Sequence, residues 1–151
     1  MKQNSILTLT SILFLVVAAS FAFTKKHQIE DDRFISYQLD PKKQDIKLYW
    51  KDNKNENFRS IQNLKLWLAN NQRKLVFAMN AGMYKQDNSP QGLFIENQRT
   101  KSPLDTTSGS GNFYLKPNGV FYITTDNIPV ICNSTDFNNN GKIKYATQSG
   151  P

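Results

Sequence analysis

"NFYLKPNGVFYITTD", Asn112 to Asp126, carries the clearest local signal in the chain. Pro117 presets the φ angle of a turn's first central position and Asn118 tolerates the second. Gly119 supplies the positive φ that closes a bulged hairpin. The reading is a β-hairpin over residues 112–125, and a hairpin makes its two strands antiparallel.

Strand patterns continue on both sides of it. "PVICN" (129–133) and "KIKYATQ" (142–148) read as further strands, separated by the polar loop that starts at Ser134. Upstream, "FISYQLD" (34–40) and "DIKLYWKD" (45–52) alternate apolar and polar residues, the second with Ile46, Leu48 and Trp50 on one face. "RKLVFAM" (73–79) reads as a buried strand and "GLFIENQ" (92–98) as another. One segment departs from this pattern: Ile61, Leu64 and Leu68 recur at helical spacing behind Ser60, a candidate N-cap, and predict a helix over 60–72. One helix among about seven mostly consecutive strands predicts an α+β fold, with a largely antiparallel or mixed sheet and few helices. The chain has 151 residues, 38% of them hydrophobic and 21% charged, which suits one core and a single domain.

The N-terminus reads differently. Lys2 precedes an apolar run from Ile6 to Phe23 that ends in Ala18, Ala19, Ser20 and Ala22, the pattern of a secretory signal with cleavage expected after Ala22. Residues 1–22 are assigned to that signal, 23–33 to a polar linker and 34–151 to the folded domain. The expected location is therefore secreted or periplasmic, with no stable membrane insertion after cleavage. An uncleaved membrane anchor is the alternative, because the run is nearly long enough to span and Lys25 and Lys26 follow it.

The net charge is +7, but the basic residues are scattered and form no dense run or recognised motif. No nucleic-acid partner is expected, and the basic surface favours anionic envelope polymers. The only histidine, His27, lies in the linker, which excludes Ser-His-Asp and Cys-His nucleophile systems and histidine-rich zinc sites within the domain. The only cysteine, Cys132, has no intrachain disulfide partner and reads as an apolar filler. Acid-base chemistry falls to carboxylates: Asp87, Glu96, Asp105, Asp126 and Asp136.

Two loops invite a ligand reading, and both carry plain alternatives. The stretch from Asp136 to Thr147 matches the front of an EF-hand loop, with Gly141 at the sixth place, but Thr147 stands where a bidentate glutamate belongs. An Asn/Gly-rich turn is the competing reading. "DTTSGSGNF" (105–113) has the backbone donors and hydroxyls to cradle a phosphate or sugar, yet it lacks the spacing of a nucleotide-binding loop.

The apolar run ending at Met79 breaks into a polar loop from Asn80 to Gln91 before "GLFIE" begins. An ordinary turn needs only a few residues, so this length, with Asn80, Tyr84, Asp87 and Ser89 in it, predicts the rim of a site. Taken together, "FAMNAGMYKQDNSPQGLFIENQR", "SGSGNFYLKPNGVFYI" and "YATQSGP", after the "LYWKD" strand, resemble the phosphodiester glycosidase family, the domain of the mannose-6-phosphate uncovering enzyme. The resemblance runs from about Ile46 to Pro151 and implies an α+β domain and hydrolysis of a sugar-1-phosphate diester. Family motif positions map onto Asn80, Gly82, Gly92, Asn112, Asn118, Gly119, Thr147, Gln148, Ser149 and Gly150. The family pattern continues beyond "ATQSGP", so the resemblance also implies that these residues are the N-terminal portion of the domain.

The expected function is thus a secreted phosphodiester glycosidase-like hydrolase acting on a carbohydrate or sugar-phosphate substrate. Asp87 is the expected acid-base group and Asn80 the residue that orients the substrate. Gly82, Tyr84, Gly92, Asn112, Thr147, Gln148 and Ser149 are expected to form the binding site. No metal-ligand set is assigned, and a divalent cation stays open as a cofactor. The alternatives are a non-catalytic module that binds glycans or anionic polymers, and an inactive fragment of the enzyme.

Overall fold

A computed structural model describes residues 34–150, of which Tyr37 onward form one compact unit. The expected signal at 1–22, the linker with His27 and the final Pro151 lie outside the described residues. The domain is α+β: one α-helix, α1 (Ile61–Asn70), and a five-stranded sheet. The strands are β1 (Phe94–Glu96), β2 (Arg99–Ser102), β3 (Gly119–Thr124), β4 (Pro129–Asn133) and β5 (Ile143–Ser149). They lie in the order β2-β1-β5-β3-β4, and every pairing is antiparallel.

β5 is central and is buried along most of its length. Side chains of a strand alternate between faces, so the sheet builds two cores. Leu93, Ile95, Val120, Ile143 and Ala146 pack together, joined by Leu104, Tyr122, Cys132 and Phe137. Phe94, Ile123 and Tyr145 gather with Leu48, Ile46, Trp50 and Phe121 in a second cluster.

Local chemistry sets the ends of α1. The Ser60 hydroxyl accepts from the Asn63 amide at 3.1 Å, satisfying a first-turn donor. At the other end Gln72 takes φ 57°, and the Arg73 and Gln72 amides fold back onto the Leu68 and Ala69 carbonyls at 2.8 and 3.0 Å. That is the Schellman arrangement, with glutamine where glycine is usual. The helix docks through Leu68 and through Trp67, whose ring meets Phe58 and Tyr49 edge-on with centroids 5.3 and 6.2 Å away.

Three predicted strands are absent. Residues 34–40 and 73–79 make no ladder, and within 45–52 only Lys51 pairs, in an isolated bridge to Asn57. Apolar alternation reports which side chains seek a core, not whether the backbone finds a partner. Ile46, Leu48 and Trp50 do pack on the sheet, and Phe77 stacks on Tyr37 at 5.0 Å. Segment 73–79 is not the buried strand its composition predicts: Val76 and Met79 are 68% and 72% exposed.

The hairpin over 112–125 is also corrected. Asn112–Tyr114 form a 3-10 turn, Asn118 is buried, and Gly119 is not among the residues with positive φ. β3 pairs instead with β4, through a turn in which Asn127 takes φ 59°, and with β5 on its other side. A second hairpin, β1–β2, turns at Asn97 and Gln98, both with positive φ, where one strand over 92–98 was expected. The EF-hand reading fails for a related reason. Ile143 and Thr147 belong to β5, while the side chains of Asn139 and Asn140 accept from the Gly141 and Lys142 amides in their own turn.

Candidate functional site

The loop from Asn80 to Gln91 folds on itself as a small lobe. Gln91 donates to the Met83 carbonyl at 2.9 Å, Tyr84 and Pro90 form a bridge, and Lys85 donates to the Ser89 carbonyl at 2.9 Å. Asp87 sits at the tip, where its carboxylate accepts from the Ser89 amide at 2.9 Å and from the Ser89 hydroxyl at 2.6 Å. These bonds hold the Asp87 carboxyl below the usual aspartate range, the hydroxyl bond being the larger cause. Asp87 is therefore an exposed, ionised carboxylate at neutral pH, suited to a base or a cation partner but not to an acid that protonates a leaving oxygen.

The base of the lobe presses against β5. A Cβ at Gly82 would collide with the Thr147 hydroxyl and lie 2.6 Å from the Gln148 carbonyl, so only glycine allows this approach. Between the loop and the sheet lies a shallow concavity of about 250 Å³, lined by Ala81, Pro117, Gly119, Phe121, Ile131, Thr147, Ser149 and Gly150. Thr147 and Ser149 reach this face of β5 because they are two residues apart. Phe121 and Ile131 are cross-strand partners in β3 and β4, and Ile131 is 80% exposed.

Gln148 projects to the opposite face and is fully buried. Its Oε1 accepts from the Leu93 amide at 2.9 Å and the Asp105 amide at 3.0 Å. Its Nε2 donates to the Asp105 carbonyl at 2.6 Å and to Asn118 Oδ1 at 2.7 Å. All four hydrogen-bonding positions of the amide are thus filled from within the protein. Asn118 in turn donates to the Phe113 carbonyl. One side chain therefore ties together the start of β1, the loop at Asp105 and the 3-10 turn, and so fixes the wall behind the concavity. Gly92 completes this packing with φ 79°, at a place where a Cβ would meet Gln148 Oε1 and lie 2.6 Å from Phe113 Cζ.

Of the predicted site residues, Thr147 and Ser149 line the concavity, and Gly82 packs against Thr147 at its side. Asn112 abuts it through its backbone, which packs against Gly150. Gly92 and Gln148 lie behind it. Asn80 is exposed beside the lining residue Ala81, Tyr84 is 60% exposed on the lobe, and Asp87 is at the lobe's tip. Asn118 read as a turn former and a family motif position; its place between two strand-like segments concealed its part in the amide network. Phe121 and Ile131 appeared only as members of predicted strands, and nothing local in the sequence marks them as lining a concavity.

Other carboxylates stand apart from it. Asp105 accepts from Thr107 Oγ1 at 2.7 Å and from the Thr107 amide at 2.9 Å, and those bonds lower its pKa. Glu96, on β1, is shifted the other way by burial, against a smaller opposing pull from Lys101. Among the described residues, no group of three or more His, Cys, Asp and Glu side chains is placed to hold a metal ion. No helix among them is long and apolar enough to cross a membrane.

Over 116 residues the chain is 35% identical to the uncharacterized protein YigE of Escherichia coli (strain K12), a match that takes in 77% of this chain. The chain spans less than half the length of that relative, 45% of it. No family model matches the chain, and no solved structure matches it.

Proposed function

We propose that the described domain is the ligand-holding part of a secreted phosphodiester glycosidase-like hydrolase that acts on a sugar-1-phosphodiester or a related envelope glycan. The observation that carries this reading is the convergence of three distant motifs. Ala81 from "NAGMY", Pro117 and Gly119 from "GNFYLKPNGVFY" and Thr147, Ser149 and Gly150 from "ATQSG" line one concavity, and Gln148 pins the wall behind it. Phe121 and Ile131 give a sugar ring an apolar floor, and the two hydroxyls of β5 supply hydrogen bonds to it. Asp87, held ionised, serves as base or as partner to a cation. Export rests on the signal pattern of residues 1–22.

The test is release of sugar from a methyl N-acetylglucosamine 1-phosphodiester, compared among the parent chain, Ser149→Ala and Asp87→Ala. Release that falls in both variants supports the assignment. Full release by both would sink it.

A second reading, binding without turnover, draws on the lining itself: no residue that lines the concavity carries a titratable side chain. Saturable binding of the same diester with no product over long incubation favours this reading over the first.

A further inference from the structure

A second cavity, of about 500 Å³, opens beside the lobe and is lined by Lys51, Asn55, Glu56, Asn57 and Arg59. Of these residues only Lys51 falls in a segment quoted above, the "LYWKD" stretch. The frame is a tight reversal between Trp50 and Phe58: Phe58 donates to the Trp50 carbonyl at 3.2 Å, and Asp52 donates to the Glu56 carbonyl at 2.9 Å. Within it Asp52 Oδ1 accepts from the Lys54 and Glu56 amides at 2.9 Å each.

The groups that face the cavity are less well served. Neither Lys51 nor Arg59 has a carboxylate within ion-pair distance among the described residues; the Lys51 ammonium sits 4.5 Å above the Trp50 ring. Arg59 adopts φ 61°, a left-handed conformation that costs free energy for a long side chain, whereas Asn55 at φ 67° is a residue that tolerates it. Asn57 spends its Nδ2 on the Asp87 carbonyl at 3.1 Å, which leaves its buried Oδ1 with no hydrogen-bond donor.

These demands describe a ligand. The two cations call for an anion, and the exposed Glu56 carboxylate beside them calls for hydroxyl donors. Inorganic phosphate at neutral pH answers the first demand and serves the second poorly; a neutral sugar does the reverse. We propose that this cavity binds a sugar phosphate, its phosphate held by Lys51 and Arg59 and its hydroxyls donating to the Glu56 carboxylate. The choice of sugar phosphate over another hydroxylated anion rests on the function proposed above, whereas the site itself rests on its own side chains. Because Asn57 also holds the backbone at Asp87, occupation of this cavity reports directly to the tip of the lobe.

The experiment is a titration of the full ¹⁵N-labelled chain with glucose 1-phosphate, inorganic phosphate and glucose, read as amide shifts. Glucose 1-phosphate is expected to move residues 51–59 and Asp87, phosphate to move them more weakly, and glucose to leave them still. The double variant Lys51→Gln, Arg59→Asn is expected to weaken glucose 1-phosphate binding by about tenfold or more. Asparagine is chosen at position 59 because it tolerates the left-handed backbone. Equal responses to glucose and glucose 1-phosphate, or an unchanged affinity in the double variant, overturn the anion site. Phosphate binding as tightly as glucose 1-phosphate overturns the sugar assignment. Shifts confined to Thr147–Gly150 overturn this site and leave the hydrolase proposal standing; shifts at 51–59 beside absent sugar release support this site and count against the hydrolase.

Discussion

Residues 92–149 and residues 40–91 are held together by different kinds of bond. In the first, Gln148 reaches Leu93 across 55 positions, Asp105 across 43 and Asn118 across 30, and the central strand joins hairpins from both sides. In the second, polar groups mostly satisfy neighbours: Asp40 caps the Lys42 amide, Asp52 those of Lys54 and Glu56, and Asp87 that of Ser89. The long-range half is a single cooperative structure, so damage at one point spreads. The locally capped half is a set of nearly independent turns, which tolerate change and can be committed to ligands.

Gln148→Leu is the hardest test of that contrast. It strips partners from two buried amides, a carbonyl and Asn118 Oδ1 together, and is expected to cost about 4 kcal/mol by urea denaturation. A loss under about 1 kcal/mol would dissolve the distinction between the halves. Gly92→Ala attacks the same region through the backbone, combining φ 79° with contact to Gln148 and Phe113, and is expected to cost about 2–3 kcal/mol. In the other half, Ser60→Ala removes the cap of α1 and is expected to cost about 1 kcal/mol, seen as a small fall in urea midpoint at constant slope.

Two weaker effects sharpen the comparison through pH. The folded pKa of Glu96 is raised by burial, so between the ordinary glutamate value and that raised value the folded state binds more protons. Stability falls as pH rises through that window, and Glu96→Gln is expected to flatten the decline in denaturation midpoint. Asp87 runs the other way: its contribution is present above its unfolded pKa and is lost as pH falls through the depressed folded value. Because the group is fully exposed that contribution is small, and Asp87→Ala should lower the melting temperature only slightly. Its carboxyl titration, followed by NMR, should move up toward the ordinary range in Ser89→Ala.

What the sequence made legible follows the same division. Ser60, Ile61, Leu64 and Leu68 located the helix, since a helix is decided by neighbours three or four residues away. "PVICN" and "KIKYATQ" were strands as read, and the α+β class followed. "DIKLYWKD" announced its apolar face correctly but not its lack of a ladder partner, a fact that resides elsewhere in the chain. "KPNG" looked like a hairpin turn because Asn118 and Gly119 are turn formers; burial of Asn118 against Gln148, 30 residues away, decided otherwise. For the site, Gly82, Thr147 and Ser149 were visible through their motifs, whereas the side-chain demands around Lys51 and Arg59 arise only once the reversal at Asp52 is folded.

β5 comes last among the described residues yet fills the middle of the sheet. The β1–β2 and β3–β4 hairpins have adjacent partners and can each close early, but they are not hydrogen-bonded to each other. During synthesis, then, the nascent domain consists of two separate ribbons, with the inner edges of β1 and β3 bare, until residues 143–149 leave the ribosome. In that interval any strand of suitable pattern can take the vacant slot, including the same segment from a neighbouring chain. Exchange of β5 between two molecules is thus the misassembly to which this topology is most open.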